Sequence, residues 1–110
     1  CLGSKSWREL EKNRLAVSKP IYHAQVVLYQ ACLQLHENPA IFMAINADTM
    51  EIYTELVPFD AALAQRMSDR GLRVISATEA GELLARGFHD PTHFECRMCA
   101  WQDRCWRAAA

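Results

Sequence analysis

The residues best suited to chemistry lie near the C-terminus. Cys96-Arg-Met-Cys99, followed five residues later by Cys105, gives a C-x2-C-x5-C spacing. Two thiolates separated by two residues can face one metal from a tight turn whose amides favour anionic sulfur. A third thiolate reaches the same point if the intervening chain makes about one helical turn. Zinc and iron–sulfur clusters both accept such a set, and both normally take a fourth ligand. Within the chain the candidates for that ligand are His93, His89, Cys1 and Cys32; a cysteine upstream of Cys1 is another. The bland alternative is three reduced cysteines packed among Phe94, Trp101 and Trp106. Five cysteines is an odd number, with three inside ten residues. That count suits a metal and a reducing, cytoplasmic setting better than a secreted disulfide framework. Cys32 falls on an apolar helical face and reads as a small core residue.

A second pair stands earlier. Gln25 and Tyr29 are four residues apart, one helical turn, and so share a face of any helix that contains both. Cys1 to Pro20 also holds five basic residues (Lys5, Arg8, Lys12, Arg14, Lys19) against Glu9 and Glu11. The formal net charge of −1 gives no global argument for nucleic acid, so any such contact must be local.

The elements that position these residues follow from periodicity. Ser6 to Val17 mixes charges with Trp7, Leu10, Leu15 and Val17, and reads as a loop or short helix of weak amphipathicity. Ser18-Lys19-Pro20 opens a helix to Leu35, with Ala24, Val27, Leu28, Ala31, Cys32 and Leu35 on one face. Ala40 to Ala47 is a nearly continuous apolar run suited to a buried strand. Asp48-Thr49 makes a turn, and Met50 to Val57 pairs back as a hairpin. Asp60 caps a helix from Ala61 to about Arg70, continuing toward Ile75. Thr78 and Glu79 open a further short helix, Ala80 to Ala85, closed by Gly87.

At 110 residues, about half of them apolar, the chain supports one small packed domain, 1–110, with a cysteine knuckle over 88–107. No apolar stretch approaches the roughly 18 residues of a membrane span, and no signal peptide is visible.

The order Gln-x3-Tyr helix, β-hairpin and C-x2-C-x5-C cluster resembles the RecB-like branch of the PD-(D/E)xK nucleases. The likeness is to phage exonucleases and to CRISPR-associated relatives that carry a cysteine cluster. Lys19-Pro20-Ile-Tyr22-His23-Ala-Gln25 with Leu28-Tyr29 looks like that family's helix. The hairpin Phe42-Met-Ala-Ile-Asn46 to Glu51-Ile-Tyr-Thr-Glu55 looks like its hairpin. The resemblance covers nearly the whole chain and spans the second half of the family's nuclease domain. It implies an α/β fold, a partial restriction-endonuclease-like core of long helix, β-hairpin, C-terminal helices and cysteine knuckle. It also implies an iron–sulfur cluster on Cys96, Cys99 and Cys105, with zinc as the alternative, and Mg²⁺ or Mn²⁺ for catalysis in the full-length protein. Gln25 would then approach the scissile phosphate or orient the metal-bound water, and Tyr29 would position the strand. Lys5, Arg8 and Lys19 would meet phosphates, since sequence-independent DNA binding is mainly Lys and Arg on the backbone. His23 reads as a surface or supporting residue. DNA is the implied partner, with a phage or host recombination protein as another.

The family's Glu-x-Lys motif is missing. The lysines at 5, 12 and 19 are preceded at that distance by Gly3, Leu10 and Val17, and no Asp occurs before Asp48. Paired carboxylates are what would hold Mg²⁺ against the phosphate and lower the pKa of the attacking water. The chain is therefore expected to be a fragment of a Mg-dependent DNA exonuclease, inactive alone, with its catalytic carboxylates upstream of Cys1. Two other readings use the same residues. One is a non-enzymatic zinc-binding interaction module, and the other a redox-sensing or electron-transfer role for the cluster itself.

Overall fold

The computed structural model describes residues 1–107. It divides inside one helix into two units, Cys1–Arg73 and the remainder from Val74. The architecture is mixed α/β, with five helices and a two-stranded antiparallel sheet among the described residues.

The charge-dense start of the chain is helical, where a loop or short helix was the expectation. Helix α1 spans Ser4–Ser18 and buries Trp7, Leu10 and Leu15. Trp7 and Leu10 lie three residues apart, so one apolar stripe suffices to seat an otherwise polar helix. At Arg14 the helix breaks, with φ 62° and ψ 174°. A side-chain-bearing residue at positive φ costs of order 1–3 kcal/mol. The break is held by Glu55, whose carboxylate takes the Leu15 backbone N–H at 2.9 Å and Arg14 Nε at 3.2 Å.

Helix α2, Pro20–Cys32, starts on proline as expected and stops three residues short of Leu35. Gln34 at φ 58° ends it. The Gln34 N–H returns to Ala31 O at 3.2 Å and the Leu35 N–H to Gln30 O at 2.8 Å, the Schellman pattern. Val27 is fully buried. Cys32 is exposed, which corrects its reading as a core residue. Gln30, rather than Cys32 or Leu35, shares the buried face with Val27.

Strands β1 (Ala40–Ile45) and β2 (Ile52–Val57) form the expected hairpin, in register from Ala40↔Val57 to Ile45↔Ile52. Their inner face puts Ala44 and Val57 against Trp7, Leu10 and Leu15, with Phe42 and Tyr53 packed at the margin. Tyr53 meets Trp7 edge-on at 6.2 Å. The outer face is not buried: Ile41, Met43, Ile45, Ile52 and Leu56 are all exposed. The apolar run of β1 is thus half-buried in this structure, because the main helix packing against the hairpin, by α1 and α2, falls on its inner face. At the tip, Asn46 Oδ1 accepts the Asp48 N–H at 3.0 Å, and Met50 sits at φ 64°. Beside the hairpin, Leu2 forms a parallel bridge with Asn46.

Helix α3, Ala61–Ala80, is longer than expected. Asp60 caps it as foreseen, with Oδ1 accepting the Leu63 N–H at 2.8 Å. It runs through Gly71 and Thr78 and ends at Gly81, φ 68°. The Gly81 N–H reaches Thr78 O at 3.2 Å and the Glu82 N–H reaches Ala77 O at 2.8 Å, a second Schellman closure. The separate helix expected at Ala80 to Ala85 does not form, and Gly81 does the terminating assigned to Gly87. Beyond it come α4 (Phe94–Arg97) and α5 (Gln102–Arg107). Among the described residues no helix is long and apolar enough to cross a membrane.

Candidate functional site

On α2, Gln25 and Tyr29 do share an exposed face. Gln25 Nε2 donates to Tyr29 Oη at 2.7 Å. With its oxygen accepting from the amide, the Tyr29 O–H is left to donate outward, and accepting polarises it into a better donor. Next to Tyr29 opens a cleft of about 370 Å³ with Val26, Leu33, Pro39 and Ile41 in its walls and Gln30 beside them. Gln30 is 4% exposed. Its Nε2 spans Asn38 O at 3.2 Å and Val57 O at 3.4 Å, tying α2 to the end of β2, while Oε1 has no partner.

The three candidate phosphate-binding residues are partly gathered. Lys5 and Arg8 stand exposed on α1, three residues apart and so on one face. Lys19 caps α1 and precedes α2, and its Nζ donates to the Ser6 hydroxyl, which draws its ammonium back to the turn bearing Lys5. His23 is half-buried and lines a cleft of about 500 Å³ with Glu55, Phe59 and Asp60.

Two carboxylates that the sequence did not single out organise this unit. Glu55 takes hydrogen bonds from Leu15 N–H, Arg14 Nε and, at 2.6 Å, Tyr53 Oη. Burial pushes its pKa up, but the bonds from Tyr53, Leu15 and Arg14 outweigh burial and hold it below the ordinary value. Tyr53 is raised in turn, by burial first and then by its bond to Glu55 and that carboxylate's charge. Asp48 receives both the hydroxyl and the backbone N–H of Ser4, which lower its pKa and cap α1 from the hairpin tip. These carboxylates are spent on backbone and side-chain donors and do not fit a catalytic Mg²⁺.

In the second unit Cys96 lies in α4, Cys99 follows it, and Cys105 lies in α5, all as free thiols. The Cys99 N–H returns to Cys96 O at 3.1 Å, and the Trp101 N–H points at Cys99 Sγ from 3.4 Å. Three thiols are donors of the kind a thiophilic metal takes, but among the described residues no group of three potential ligands is assembled. His93 is occupied otherwise. Its Nδ1 accepts the Glu95 N–H at 3.3 Å as the cap of α4, and its ring stacks on Phe88 at 4.1 Å. Asp90 is lowered by the Thr92 N–H and hydroxyl and shapes the turn before α4. Arg86 closes this unit by donating to Cys105 O at 3.0 and 3.1 Å while lying over Trp106 at 4.6 Å.

No family model matches the chain, and no curated protein or solved structure is significantly similar to it.

Proposed function

We propose that this chain is part of a Mg-dependent DNA exonuclease of the RecB-like PD-(D/E)xK type, with a partial restriction-endonuclease-like core. The observation that carries the reading is the Gln25–Tyr29 hydrogen bond on the exposed face of α2. It yields a preset pair: an amide with Oε1 to accept, and a polarised phenol with one proton to give. Such a pair suits a phosphate oxygen or a water that must be held in one orientation. Lys5, Arg8 and Lys19 supply positive charge on α1 and at its junction with α2, which suits a phosphodiester backbone. The divalent ion would polarise the phosphate and its water, and its carboxylate ligands belong upstream of Cys1 in this reading. Cys96, Cys99 and Cys105 would hold an iron–sulfur cluster, or zinc, whose task is to close a loop of chain rather than to exchange electrons. In the parent protein, Gln25→Ala and Tyr29→Phe should slow Mg-dependent DNA degradation with the fold unchanged by circular dichroism. Unchanged rates in both would remove the assignment.

A further inference from the structure

Gln30 carries a buried polar atom that the fold leaves without a partner. Its Nε2 uses both hydrogens, on Asn38 O at 3.2 Å and Val57 O at 3.4 Å. Turning the amide over would set its oxygen against those two carbonyls, so the orientation is forced. Oε1 is then the open arm, with neither a partner nor appreciable solvent contact. The N–H groups of Leu33 and Leu35 cannot serve it, being committed to Tyr29 O at 2.9 Å and Gln30 O at 2.8 Å. Buried acceptors are nearly always paired, so an open one marks a place where a donor is due. Gln30 lines the cleft of about 370 Å³ between the end of α2 and the start of β1. The lips of that cleft, Leu33, Leu35 and Ile41, are exposed, whereas Gln30 is 4% exposed, so its amide forms the floor.

The chemistry of the walls narrows the occupant. No lining residue is an acid or a base of the kind that holds an ion, which favours a neutral ligand. Val26, Pro39 and Ile41 present carbon, a poor setting for a water, which when buried takes about three hydrogen bonds. Tyr29 adds an aromatic surface, against which a ring packs well. The volume falls at the small end of ligand clefts, roughly 300–1,000 Å³, which leaves room for one or two fused rings. We propose that this cleft binds a small neutral aromatic molecule bearing one ring N–H, and that the N–H donates to Gln30 Oε1. Leu33 and Leu35, against which little packs, turn outward to admit it. Nothing in this site depends on the nuclease reading, since it uses no cation, no cysteine and no metal.

Indole and benzofuran, which share a shape but differ in having a ring N–H or a ring oxygen, are the probes. Titration of the methyl-labelled protein, followed by NMR, should show saturable indole shifts at the Val26, Leu33 and Ile41 methyls. Benzofuran should bind there about tenfold more weakly, the worth of one hydrogen bond to a buried acceptor. Equal affinity for the two probes overturns the role of Gln30. Indole shifts absent from these methyls, or spread instead over the exposed Met43, Ile45 and Ile52, overturn the site. Gln30→Leu should erase the preference for indole, and a preference that survives it counts against the assignment. The comparison of probes in the unaltered chain decides the matter even where that variant does not fold.

Discussion

Glu55 on β2 accepts the Leu15 backbone N–H at 2.9 Å, although 40 residues of sequence separate them. This bond fixes the point at which α1 breaks, and it places a carboxylate between helix and hairpin where an apolar side chain would otherwise pack. Glu55→Ala strands the Leu15 N–H and the Tyr53 hydroxyl and should cost about 1–3 kcal/mol. Urea unfolding measures it. An unchanged midpoint would mean that something else holds Arg14 at positive φ.

The same group sets an acid limit. Its pKa in the folded chain lies below the ordinary value of 4.5. Its contribution is therefore fully present above about pH 4.5 and is lost as pH falls through the lowered value, because the unfolded chain takes up the proton first. Glu55→Gln should lower stability at pH 7 and flatten its decline below pH 4.5. Parallel pH profiles of Tm for the two proteins would contradict the assignment.

Gln30 donates from one buried amide to Asn38 O and Val57 O. Gln30→Glu would set a carboxylate against two carbonyl oxygens with almost no solvent access. It should destabilise by at least about 2 kcal/mol at neutral pH, and less on acidification as the carboxyl takes a proton. A variant as stable as the original at pH 7 would mean that this side chain reaches water.

What the sequence revealed, and what it hid, has local causes. Helix α2, the hairpin and the Asp60 cap were legible because proline, apolar spacing and an Asx residue act within a few positions of one another. The pairing of Gln25 with Tyr29 was legible for the same reason. Helix α1 was obscured by its many charges, although Trp7 and Leu10 carried the needed spacing. Its break at Arg14 could not be read at all, since Glu55, its cause, comes from β2. Gly81 was passed over for Gly87, yet only Gly81 adopts the positive φ that terminates α3. Gln30 drew no attention in the sequence, because its role depends on carbonyls 8 and 27 residues away.

The cysteines make their own prediction. Anaerobically purified parent protein should carry bound iron and visible absorbance, or zinc without colour, and Cys96→Ala, Cys99→Ala and Cys105→Ala should each lose most of that metal. Elemental analysis decides it. Metal content unaffected by all three substitutions would leave these residues as ordinary thiols.

The most direct measurement is Mg-dependent degradation of linear DNA by the full-length parent protein, alongside its Gln25→Ala and Tyr29→Phe variants at matched folded concentration. Degradation that slows about a hundredfold in Gln25→Ala and more modestly in Tyr29→Phe, with Tm unchanged, is the expected result. A parent protein that leaves DNA intact, or variants that degrade it as fast as the parent, would contradict the account.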